Sequence, residues 1–123
     1  MNTNNETNDI NEDSIILIEA FIEARADYNI SRAKLDNIKA DMEVVGREVK
    51  HLEEAVEKHP QSRTLFNALG VYAEREDILK EKYERVWEEL ESQGLIYANA
   101  VHGAEEAGLL KRTGEEWWQV ELA

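Results

Sequence analysis

The residues best equipped for chemistry are three histidines among twenty-seven carboxylates. Glu48-x-x-His51 has the spacing of one half of a di-iron site. Such a site needs a second Glu-x-x-His and two further inward carboxylates, and the sequence supplies neither. His102 stands one helical turn from Glu105 and Glu106, a base beside two carboxylates, which in a chain this acidic reads as a solvated turn. His59 precedes Pro60 and belongs to a loop. There is no G-x-S-x-G and no H-E-x-x-H, and Gly108 to Gly114 has neither a phosphate-loop lysine at the right spacing nor a preceding strand. Paired acids such as Glu53-Glu54, Glu88-Glu89 and Glu115-Glu116 sit among other charges on outer helix faces. With no cysteine there is no thiolate site or disulfide. The expectation is a protein without catalytic residues, metal or cofactor.

Charge bounds the partners. Fourteen basic residues against twenty-seven acidic ones give a formal net charge of −13, and the basic residues form no cluster beyond Lys111-Arg112. Binding a phosphate backbone needs a concentrated positive face, so direct nucleic-acid binding is not expected. An acidic surface draws basic protein partners instead. Glu84, Glu88, Glu89 and Glu91 accumulate with one sign and are the candidate partner-binding residues, joined by Trp118. Between Glu76 and Lys80, and between Glu81 and Arg85, the four-residue spacing favours ion pairs.

The elements that hold these residues are helices. Phe21, Tyr28, Leu35, Met42, Val49 and Val56 recur every seven residues, and Leu17, Ala24, Ser31, Ile38, Val45 and Leu52 form a second such series. Only Ser31 is polar. A two-in-seven stripe keeps one helix face on another helix. The first helix is expected to begin at Asp13 or Ser14 and to end before Pro60, with Gly46 as a possible bend. The second starts near Ser62 or Thr64 and carries Leu65, Leu69, Tyr72, Glu76, Leu79, Tyr83, Val86 and Leu90, with Glu76 as the one misfit. Gly94 would be its left-handed stop. The fold class expected is all-α: a long antiparallel helical hairpin, coiled-coil-like, with a short C-terminal helical segment and a tryptophan-containing tail.

Three segments follow: an acidic, mobile tail over residues 1–12, the hairpin over 13–94, and a C-terminal piece over 95–123. A first helix of ~46 residues would span about 69 Å and a second of ~29 about 43 Å. The stretch from Ile15 to Tyr28 is then uncovered, and it is the greasiest part of the helix. Either the C-terminal third or a second subunit must cover it. Leu17, Phe21, Ile22 and Trp117 are the candidate packing or assembly residues, and a homo-oligomer is expected. Trp117 and Trp118 read as core plugs or as partner anchors. If the end of the chain is extended, Trp118, Val120 and Leu122 share one side and Trp117 takes the other. No apolar run approaches the roughly 20 residues of a membrane span, so the cytoplasm (a host's, for a phage protein) is expected.

Three functional expectations result. A cofactor-free acidic hairpin can occupy the nucleic-acid channel of a basic enzyme, and small phage antagonists of restriction or CRISPR machinery are similar in size and charge. Separately, Asp13, Ile15, Leu17, Ala20-Phe21, Ala26-Asp27-Tyr28 and Ala33, then His59-Pro60, Leu65 and Ala68, resemble the phage terminase small subunit over about residues 13 to 75. The resemblance implies a hairpin that assembles into rings and recruits viral DNA, and no functional residue is carried over from it. A purely structural coiled-coil adaptor is the third reading.

Overall fold

The computed structural model describes residues 2–123, with side chains from Glu12 onward; the segment expected as a mobile tail over residues 1–12 falls, from Asn2 on, within the first helix. Two long helices, α1 (Asn2–Lys58) and α2 (Arg63–Glu106), form an antiparallel hairpin, followed by strands β1 (Leu110–Arg112) and β2 (Val120–Leu122). Asp13 and Ser14 are already helical, so neither caps α1; no proline or glycine precedes them to stop the helix. Pro60 does end it. The His59 amide still donates to the Ala55 carbonyl at 2.9 Å, and the Ser62 amide then turns back to the His59 carbonyl at 3.0 Å. Ser62 opens α2 as its N-cap, its Oγ accepting from the Leu65 amide at 3.3 Å.

The chain divides into two compact units, and both helices contribute to each. The turn unit is Arg32–Glu89; the terminal unit comprises Met1–Ser31 and Leu90–Ala123. In the turn unit every residue of the two stripes is buried or half-buried, but only Leu35 and Val49 are fully enclosed. Gly46 does not break α1. A side chain at Gly46 would sit 3.4 Å from the Glu76 carboxylate, ordinary contact distance, so the glycine of one helix faces the misfit acid of the other. Lys80 then pairs with Glu76 at 3.5 Å, at the spacing read from the sequence.

The terminal unit departs most from expectation. Gly94 is not a stop: α2 runs through it and through Gly103 to Glu106. Neither glycine takes a left-handed conformation, and Gly94 lies against the Tyr28 ring, where a side chain would be 3.5 Å from the ring edge. The true stop is Gly108, at φ 74°. The Leu109 amide donates to the Ala104 carbonyl and the Gly108 amide to the Glu105 carbonyl, both at 2.9 Å, the paired closure of a Schellman end. The expected C-terminal helical segment is therefore the uninterrupted end of α2. It covers α1 where the shorter helix would have left it bare: Phe21 is fully buried, with Ala24, against Tyr97, Val101 and Ala104. Leu95 and Ile96, on the same stretch of α2, stay exposed.

Strands β1 and β2 pair antiparallel, Leu110 opposite Leu122 and Arg112 opposite Val120. Residues 117 and 118 lie before β2 in a turn, so strand alternation does not govern them. Trp117 and Val120 both pack on the core, and Leu122 is half exposed. Arg112 ties the hairpin to α2 through a two-pronged contact with the Glu105 carboxylate, Nε at 2.9 Å and Nη2 at 3.3 Å.

Candidate functional site

The terminal unit is organised around Tyr97, which touches three aromatic rings. Their centroids lie 6.1 Å away at Phe21, 5.4 Å at Tyr28 and 5.0 Å at Trp117, the last edge-on. Arg25 lies over the outer face of Phe21 at 4.7 Å. Burial pushes the Tyr97 hydroxyl above its ordinary range; Arg25 opposes the shift and Tyr28 adds to it. Of the expected packing residues, Phe21 and Trp117 belong to this core and Leu17 is half-buried against Gly103. Ile22 is not part of it; with Ile15 and Ile16 it faces outward. Sequence reasoning missed Tyr97 and Ala104, although the signal was present. Continuing the α2 stripe by three and four from Leu90 reaches Gln93, Tyr97, Ala100 and Ala104.

None of the histidine constellations assembles. Glu48 and His51 are both exposed. His102 Nε2 lies 3.2 Å from Glu106 on an open surface, while Glu105 is committed to Arg112. Among the described residues no three His, Asp or Glu side chains stand together as a metal site, and no helix is long and apolar enough to cross a membrane.

The acidic residues sort differently from their order in the chain. Glu84 and Glu88 line an open hollow of about 330 Å³ on the outer face of α2 with Glu81 and Arg85. Glu89 turns to the neighbouring helix and pairs with Lys34 at 3.6 Å, so it does not join them. Glu91 is exposed, in the terminal unit. Trp118 is 48% exposed and edge-on to Trp117 at 5.6 Å. Because α2 runs on to Glu106, Glu84 and Glu88 lie mid-helix, free of the dipole penalty that a helix ending at Ser92 would impose.

Trp87 was not singled out from the sequence. It lies off the buried stripe, three residues after Glu84, which places it beside Glu84 on the helix surface; Glu88, the next residue along, points to a different side. Its ring stacks on Tyr83 at 6.4 Å and stays 46% exposed. An exposed indole stacked on a half-buried tyrosine, with the Glu84 carboxylate one helical turn away, suits a cation with an apolar stem. Arginine is the best match, because its planar guanidinium stacks on aromatic faces and bridges carboxylates. Comparison with protein-family models, curated proteins and solved structures finds no match to this chain.

Proposed function

We propose that this chain is a non-catalytic binding module whose acidic, aromatic α2 surface captures a basic protein partner, the partner being an enzyme that handles nucleic acid. The observation that carries the reading is the row Glu81, Glu84 and Glu88, broken only by Arg85, with exposed Trp87 beside Glu84, in a chain of net charge −13. Carboxylates on a rigid helix mimic the regular charge of a phosphate strand, and Trp87 adds the stacking surface that a base would offer. Occupation of a positively charged channel then competes directly with nucleic acid, which makes the module an antagonist of restriction or CRISPR-like machinery of the kind phages use. Charge steers the encounter, so association weakens steeply with salt.

The test is capture of proteins from host extract on the immobilised chain, with salt elution and identification by mass spectrometry, followed by a nuclease assay with the purified captive. The expected captive is a basic nucleic-acid enzyme that the chain inhibits. Glu84→Lys with Glu88→Lys should abolish capture, and Trp87→Ala should weaken it about tenfold or more. Capture indifferent to these changes would reject the surface. A ring-sized assembly that binds viral DNA would favour the terminase-like packaging reading instead, and a self-assembly indifferent to both would leave the structural adaptor.

A further inference from the structure

We propose that a second face of the turn unit, where Asp41, Arg75 and Lys82 rim a groove, is the contact between two copies of this chain. The copies pack as four helices about a twofold axis parallel to the helices. The inference uses residues other than the acidic patch and does not rest on the function proposed above.

The groove has a volume of about 320 Å³. Val45 and Leu79 floor it, half-buried in the seam, and Val44 and Ile78 form its walls, 57% and 45% exposed. Asp41 lies on the α1 side and Arg75 and Lys82 on the α2 side. These three belong to longer rows at seven-residue spacing. On α1 the row is Lys34, Asp41 and Glu48; on α2, running the other way, it is Glu89, Lys82 and Arg75. The ion pair from Lys34 to Glu89 aligns the rows. Their signs are opposite at each level: positive, negative, negative against negative, positive, positive.

A face with both signs in opposed rows suits neither a uniformly basic nor a uniformly acidic partner. It suits itself. Two hairpins can meet face to face about an axis across the helices or one along them. The first, with its axis at the level of Asp41, lays α1 on α1 and α2 on α2: Lys34 then meets Glu48 and Glu89 meets Arg75, but Asp41 and Lys82 each face their own copy. The second lays α1 on the α2 of the other copy at the same level, so Asp41 meets the basic row and Lys34 meets Glu89. Charge selects the second arrangement, and a twofold interface of this kind is self-complementary by construction. Size agrees. Segments Arg32–Lys58 and Arg63–Glu89 are each about 40 Å long, and two helices about 10 Å wide side by side present about 800 Å². That is one side of a standard stable interface.

The experiment measures molecular mass by sedimentation velocity from micromolar to submillimolar protein, with helical circular dichroism as the folding control. The full chain should reach dimer mass. Asp41→Lys alone should weaken the dimer at least about tenfold, as should Arg75→Glu with Lys82→Glu, since each sets like charges together. Mixing the two variant chains should restore dimers as heterodimers, because each then supplies the charge the other lacks. Val44→Ser with Ile78→Ser changes exposed positions only and should lower the dimer fraction without loss of helix. A monomer at every concentration, a dimer indifferent to Asp41→Lys, or a variant mixture that stays monomeric would each overturn the proposal.

Discussion

The terminal and turn units use the same two helices and the same heptad pattern, yet they bury them to different depths. In the terminal unit the β-hairpin adds a third layer, and Phe21, Tyr97, Val101 and Ala104 lose almost all contact with water. In the turn unit nothing lies over the two helices, and most stripe residues remain half-exposed beside bare Val44, Val71 and Ile78. Two helices share one narrow line of contact, so a seam alone cannot enclose large side chains; a third element can. The difference is one of depth at the seam alone: both units leave large apolar residues on their outer faces, Ile15, Ile16 and Leu95 in the terminal unit and Val44, Phe66 and Val71 in the turn unit.

Substitutions sharpen the contrast. The largest effect is expected from Phe21→Ala, which empties an enclosed site and should cost about 4 kcal/mol. Ile22→Ser, one residue away on the open face, should cost less than about 1 kcal/mol. Denaturant unfolding measures both, and equal costs would erase the distinction between the two faces. In the turn unit, Glu76→Leu should stabilise by about 1 kcal/mol, because it replaces the misfit acid with an apolar side chain and gives up only a weak pair with Lys80. Loss of stability there would mean that the acid is required against Gly46. The smallest effect is on pH. Tyr97 is held protonated in the fold above its ordinary value of 10.0. Its contribution is complete below that pH and fades as pH rises beyond it, since the unfolded chain ionises first. Unfolding followed across pH 10.0 should show this decline, and Tyr97→Phe should flatten it.

The hairpin was legible because a seven-residue repeat, a proline and a capping serine are local signals. Both stripes, the turn at Pro60 and the cap at Ser62 could be read directly. Gly94 misled, because a glycine that ends a helix and one carried inside it at helical φ look identical in sequence; only Gly108 adopts the left-handed conformation. Gly46 and Glu76 each read as a defect alone; in the fold α1 runs unbroken through Gly46, which faces Glu76 across the seam while Glu76 pairs with Lys80. Trp117 and Trp118 could not be ranked by alternation, since they precede the strand. The acidic residues were legible by type but not by direction. That Glu89 turns to Lys34 while Glu84 and Glu88 share an outer hollow with Glu81 and Arg85 follows only once the orientation of α2 is known.

The central claim is that α2 continues past Gly94 and is locked onto α1 by the Trp117 hairpin. Hydrogen–deuterium exchange resolved by peptide tests it most directly, comparing the native chain with Trp117→Ala. The account predicts that residues 95–106 exchange as slowly as any in the molecule, and that Trp117→Ala speeds exchange there and around Phe21 while residues 36–56 and 65–86 are unchanged. Rapid exchange over 95–106 in the native chain, or a Trp117→Ala variant with the native pattern throughout, would contradict it.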